Sequence, residues 1–195
     1  MTYFLRRVFF LFSAVLFFSC VSSGKAASSS DEVYVTDTKK ISLLPPSCFE
    51  RELDSLQQFT GTFSGRSFVS NFYITSTPEQ VSVTILNEFG IETGYLVYDG
   101  ASCVLDSSLF PKALKCQYIV SDLENVYCTL ESLTEHYSKA GLSFSETEED
   151  GVKKRRIYDG SYLVEEITFS VSETSSVIVL NNFLRNYSYE LTENL

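Results

Sequence analysis

Cysteines, a single histidine, paired acids and one basic run are the side chains here that could do chemistry, and their spacing narrows what each can do. Cys48, Cys103, Cys116 and Cys128 include no CxxC redox or zinc spacing. In an oxidising compartment these four thiols can form two disulfides in three possible connectivities, and buried free thiols are the alternative. His136, the only histidine, falls on the polar side of a predicted helix, away from Leu133 and Tyr137, and reads as a surface residue rather than a base. Glu148-Glu149-Asp150 marks a turn and Glu165-Glu166 straddles two faces of a predicted strand, so both read as solvated rather than as an acid/base pair. Strand alternation also splits Lys153-Lys154-Arg155-Arg156 between two faces, which suits a solvated edge or hairpin better than a phosphate site. Asn186-Tyr187-Ser188 matches a glycosylation sequon. There is no nucleophile elbow, glycine-rich phosphate loop or cluster of metal ligands, so the expectation is a protein that is not an enzyme and carries no cofactor or metal.

The fifth cysteine has a different setting. Arg6 and Arg7 precede an apolar run from Val8 to Phe18 that is too short to span a bilayer, and Cys20 follows directly after Ser19. This arrangement resembles the lipobox of bacterial lipoproteins, in which the cysteine is acylated and the chain is cut before it. Phe17 and Phe18 give it the loose form of the motif rather than the strict one. The expected organisation is a signal peptide over 1–19, a lipid-anchored Ser/Gly-rich tether over 20–32, and one domain over 33–195. The alternatives are an ordinary signal peptide cut near Ala26-Ala27, or an uncleaved anchor. With 15 basic and 25 acidic residues, the chain lacks the charge to neutralise nucleic acid or to dock electrostatically on anionic lipid.

The elements that must position any site follow from periodicity. Period-two patterning predicts strands over 67–75, 80–86 and 92–98, after an extended Ile41–Pro46 segment and a short helical stretch from Phe49 to Leu56. Asp99-Gly100 is a hairpin signal. The period then changes: Ile119, Leu123 and Val126 fit a helix from Pro111 to Tyr127, and Leu130, Leu133 and Tyr137 fit a second one, capped by Thr129 and ended by Gly141. Further strands are expected at 142–147, 152–158, 161–170, 177–183 and 187–191. The order strands, helices, strands implies an α+β fold, a strongly curved antiparallel sheet with a helical lid on its concave face. With 16 phenylalanines and 12 tyrosines, aromatic lining for an apolar space is ample, although strand aromatics are more often plain core.

Leu43-Leu44-Pro45-Pro46, Gly94-Tyr95-Leu96-Val97-Tyr98-Asp99-Gly100, Ile119-Val120-Ser121-Asp122-Leu123 and the stretch from Asn181 to Leu191 together carry a resemblance. In that order, and with the lipid cysteine, they resemble an uncharacterised family of bacterial lipoproteins related to the LolA and LolB carriers. The resemblance implies an unclosed barrel with a helical lid, anchored through Cys20 in the outer membrane facing the periplasm. It also implies an apolar cavity that binds the acyl chains of a lipid or lipoprotein for transport or insertion, with a LolA-like periplasmic carrier as a partner. Phe68, Phe72, Ile74, Val83, Ile85, Tyr95 and Val97 from the sheet, with Ile119, Leu123, Leu130 and Leu133 from the lid, are the expected cavity residues. A membrane-engaging loop of the kind LolB carries is sought at Val104 to Leu109, or at Leu109-Phe110. The alternative is a non-catalytic surface or periplasmic interaction module whose helices fill the sheet completely.

Overall fold

A computed structural model of the chain describes residues 32–63, 65–110 and 114–195. The expected signal peptide, Cys20 and nearly all of the tether lie outside the described residues.

Two antiparallel meanders make the sheet. The first comprises β3 (Leu53–Phe63), β4 (Arg66–Ser76), β5 (Val81–Leu86), β6 (Glu92–Tyr98) and β7 (Cys103–Ser107). The second comprises β8 (Ser143–Glu149), β9 (Val152–Asp159), β10 (Tyr162–Val171), β11 (Ser175–Asn182) and β12 (Tyr187–Asn194). β3 pairs with β12, giving one unclosed, curved ten-stranded sheet in the order β7-β6-β5-β4-β3-β12-β11-β10-β9-β8. A small hairpin, β1 (Glu32–Tyr34) with β2 (Lys40–Ser42), and a 3-10 turn at Pro46–Cys48 precede it. Between the free edges β7 and β8 run α1 (Cys116–Tyr127) and α2 (Leu130–Lys139), α1 packed on β7 and α2 on β8. Unpaired edges are templates for aggregation, and this placement of the helices covers them in part.

Local chemistry explains the joints. Thr129 accepts from the Ser132 backbone N–H at 3.2 Å and starts α2, and Gly141 ends it with φ +70°, as the sequence led us to expect. Asp99 Oδ1 accepts from the backbone N–H groups of Ala101 and Ser102 and closes the β6–β7 turn. Two disulfides, Cys48–Cys128 and Cys103–Cys116, tie down the two ends of α1.

Arg155 points inward from β9 and is 1% exposed. Its Nη1 donates to the carbonyls of Asn125, Val126 and Cys128 at 2.8–3.0 Å, its Nε to Glu146 at 2.8 Å and its Nη2 to Glu50 at 3.1 Å. The last carbonyls of a helix have no partner within it, and here a guanidinium satisfies them where the helix dipole favours positive charge. Lys154 and Arg156 take the other face of β9, paired with Glu149 and Glu166. The alternation expected for this run is present, but its expected solvation fails at Arg155.

Several expectations are corrected. The Phe49–Leu56 stretch is not helical, and Leu53 already begins β3. α1 starts at Cys116, with Leu114 and Lys115 outside it and Pro111 beyond the described residues. Glu165 is buried rather than solvated: a bulge between Leu163 and Glu165 turns Val164 and Glu165 both inward and leaves Glu166 on the outer face.

Candidate functional site

Where β3, β4 and β12 meet beneath α1, the core is not filled. A cavity of about 340 Å³ remains, within the range of small-molecule sites. Phe59 and Phe72, from paired strands, stack with ring centres 4.2 Å apart and planes inclined by 8°. Phe110, from the segment after β7, stands nearly perpendicular to Phe59, Phe68 and Phe72 at 5.9–6.3 Å. Gly61 lies between these rings, and a Cβ there would come within 2.6 Å of Phe68 and 2.8 Å of Phe59. Only glycine leaves that space. From above, Leu114, Tyr118, Ile119, Asp122 and Leu123 close the cavity. Tyr187, Tyr189 and Leu191 of β12 form the far wall, and Phe63 and Arg185 border it at the end of the sheet carrying the β3–β4 and β11–β12 turns.

Of the expected cavity residues, Phe68, Phe72, Ile119 and Leu123 line this space. Ile74, Val83, Ile85 and Leu133 are close-packed core, each 2% exposed or less. Tyr95 and Val97 take the outer face of β6, Tyr95 being 39% exposed, because Leu96 and Tyr98 turn inward and Tyr98 Oη donates to the Leu44 carbonyl. Leu130 is exposed on α2. Phe59, Phe110, Tyr118, Arg185, Tyr187 and Tyr189 went unread as lining. The region sought for a membrane loop also proves different: Phe110 faces the cavity, whereas the most exposed apolar tip belongs to the β5–β6 turn, with Phe89 at 78% and Ile91 at 61%.

A protein-family model matches residues 54–194, from the start of β3 to the end of β12, and so spans every element that lines the cavity. The chain belongs to the DUF3261 family, described as proteins of unknown function. No curated protein matches it. Among the described residues this DUF3261 chain has no group of His, Cys, Asp and Glu able to hold a metal, and no helix long and apolar enough to cross a membrane. His136, half-covered, has its Nε2 2.6 Å from the Ser42 carbonyl and lies on α2, outside the cavity lining.

A polar layer adjoins the cavity in this DUF3261 domain. Tyr187 Oη donates to the Asp122 carboxyl, 3.0 Å from both oxygens. Asn125 and Asn182 donate to the two oxygens of Glu165 at 2.9 and 3.0 Å, and Tyr137 Oη donates to Asn125 at 2.7 Å. The buried Tyr189 hydroxyl has no hydrogen-bond partner among the described residues. Loss of water pushes the Asp122 carboxyl well above the usual carboxylate range, and the neighbouring Glu165 adds to this. Burial pushes Glu165 up to about 7, despite its two amide donors. The folded state therefore keeps protons that the unfolded chain has lost, and stability falls as pH rises from about 4.5 to about 7. At about 1.4 kcal/mol per pKa unit, the loss is a few kcal/mol. Denaturant midpoints measured at pH 5 and pH 8 are expected to show this fall, and Asp122→Asn, which can still accept from Tyr187, is expected to reduce it.

Proposed function

We propose that this DUF3261 protein is an envelope lipoprotein, anchored through Cys20 in the outer membrane on its periplasmic side, that binds acyl chains in the cavity beneath α1 for transport or insertion. The observation that carries this reading is the unfilled, aromatic-lined space between helix and sheet. A domain whose helices served only to complete a core would be close-packed there, as protein interiors are. The unclosed sheet with helices across it is also the arrangement that a LolA- or LolB-like carrier would need. Binding by a preformed apolar cavity requires no catalytic group: each methylene removed from water contributes about 0.8 kcal/mol. The exposed tip at Phe89 and Ile91 lies at the same end of the sheet as the cavity-lining Phe63 and Arg185, where it would bring the cavity to a membrane or to a donor carrier. The same tip supports the second reading, a non-catalytic interaction module.

The test is native mass spectrometry of the chain carrying Cys20→Ala, expressed for export to a bacterial periplasm. Copurified lipid, or titratable fatty-acid binding, is expected. Ile119→Asp places a charge in the lining at a site only half-buried, and is expected to weaken binding by about 30-fold or more while leaving the fold intact. A protein that binds no lipid, with or without the substitution, would shift the reading to the interaction module.

A further inference from the structure

The cavity is apolar along most of its wall, but its two charged residues are arranged unequally. Asp122 is satisfied by Tyr187 within the wall. Arg185 sits at the end of the lining, in the turn between β11 and β12. Asn182 Oδ1 accepts from the Arg185 backbone N–H at 2.9 Å and fixes this turn, and Asn186 at φ +52° completes it. The Arg185 guanidinium lies over the Tyr118 ring at 5.4 Å and donates through Nη2 to the Tyr34 carbonyl. It makes no ion pair with any described carboxylate, in a chain where acids outnumber bases 25 to 15. A guanidinium carries five N–H donors in a rigid fork suited to carboxylate and phosphate, and most of those donors are uncommitted here.

We infer that the cavity takes a single acyl chain ending in an oxyanion, the tail lying among Phe59, Phe72 and Phe110 and the charged end held by Arg185. This rests on the acyl-binding reading and narrows it to a class of ligand. Volume sets the number of chains. A space of about 340 Å³ lies at the small end of ligand sites, which suits one acyl chain better than the three of a mature lipoprotein. Charge sets the head. Asp122 is buried and already engaged by Tyr187, with burial and the neighbouring Glu165 raising its carboxyl against a lowering by Tyr187 and Arg185, whereas the Arg185 guanidinium at the end of the lining has no carboxylate partner among the described residues. Tyr187 and Tyr189 on β12, Tyr118 on α1 and Glu165 on β10 are the other titratable groups facing Asp122 or the cavity; burial pushes Tyr187 and Tyr189 well up and Glu165 up to about 7. A carboxylate and a phosphate monoester present the same chemistry to Arg185.

The experiment is a calorimetric titration of the Cys20→Ala chain, below micelle concentrations, with dodecanoate, dodecyl phosphate, dodecanol and dodecyltrimethylammonium. One or both anions are expected to bind at least about ten-fold more tightly than dodecanol, as charge-assisted hydrogen bonds require. Preference for dodecanoate points to a free fatty acid, and preference for dodecyl phosphate to a phosphorylated lipid; both support the inference. Arg185→Gln is expected to remove the advantage of the anions over dodecanol measured in the same variant, and Arg185→Lys to retain part of it. Dodecanol binding as tightly as the anions would overturn the inference and leave the acyl-binding reading standing. The cation binding best would do the same and would assign the head to Asp122. Binding of none of the four would overturn both. The ligand comparison needs only the unsubstituted Arg185, so a poorly folding variant does not decide the result.

Discussion

Arg155→Met is expected to lower the stability of the domain by about 3–5 kcal/mol, the scale found when one partner of a buried charge network is removed. Methionine matches the arginine stem in length and packs well in apolar surroundings, so the loss reports the guanidinium rather than a cavity. Three carbonyls at the end of α1 lose their donor, and Glu146, partly buried on the neighbouring strand, keeps a carboxylate whose closest positive charge is then Lys153 at 3.7 Å. Arg155→Lys is expected to recover less than half of the loss, because one ammonium cannot reach three carbonyls and two carboxylates that lie on different sides of a planar fork. Denaturant midpoints at constant slope are the measurement. A loss below about 1 kcal/mol for the methionine variant would mean that water or a shifted lysine takes over the carbonyls. Because Arg155 anchors the end of the helix that roofs the cavity, acyl binding is expected to weaken in the same variant, even under conditions where it remains folded.

The second large effect concerns the disulfides. Cys48–Cys128 closes a span of 80 residues and Cys103–Cys116 one of 13. By chain entropy, removing the first costs about 4.5 kcal/mol and removing the second about 3 kcal/mol. The paired serine variants, Cys48→Ser with Cys128→Ser and Cys103→Ser with Cys116→Ser, are expected to rank in that order in urea. The Cys20→Ala chain with both disulfides in place is expected to show no free thiol until it is unfolded in reductant. The ranking for ligand binding is expected to be reversed. Cys103–Cys116 brackets the segment that carries Phe110 and Leu114 into the cavity wall, so opening it frees the wall itself. Equal losses of binding in the two variants would show that this segment is held by packing alone.

The sequence disclosed the elements whose inward face is largely apolar. β5, with Val81, Val83 and Ile85 inward, and β4, with Phe72 and Ile74, follow the expected alternation, and α2 has the cap and terminal glycine read for it and buries Leu133 and Tyr137, though not Leu130. β3 was hidden because its inward residues are Leu53, Ser55, Gln57, Phe59 and Gly61, a face made polar or small by its tasks. Gln57 accepts from Tyr127 Oη, and Gly61 yields room to the rings. The stretch from Phe49 to Leu56 read as a helix, its apolar residues Phe49, Leu53 and Leu56 falling at helical spacing although Leu56 points to solvent. At β6 both faces are apolar, so parity was undetermined until the distant Leu44 carbonyl fixed Tyr98 inward. The site was half legible for a related reason. Phe68, Phe72, Ile119 and Leu123 stand out within their own elements, but Phe59, Arg185, Tyr187 and Tyr189 become lining only through the pairing of β3 with β12. No local pattern records that pairing, and Arg185 carries no signal beyond being a basic residue in a turn.

The order of the sheet also bears on how the chain comes to fold. Each meander zips from neighbouring hairpins, whereas the seam between them joins Gln58–Phe63 to Tyr187–Thr192 across most of the chain. Contacts of such long sequence separation form late and slowly, after the cost of closing the intervening loop has been met. Phe59 and Gly61 stand on one side of that seam, Tyr187, Tyr189 and Leu191 on the other. A chain that still lacks β12 therefore has one wall of the pocket and no pocket. The space beneath α1 is complete only once the last strand of the second meander has docked on the first.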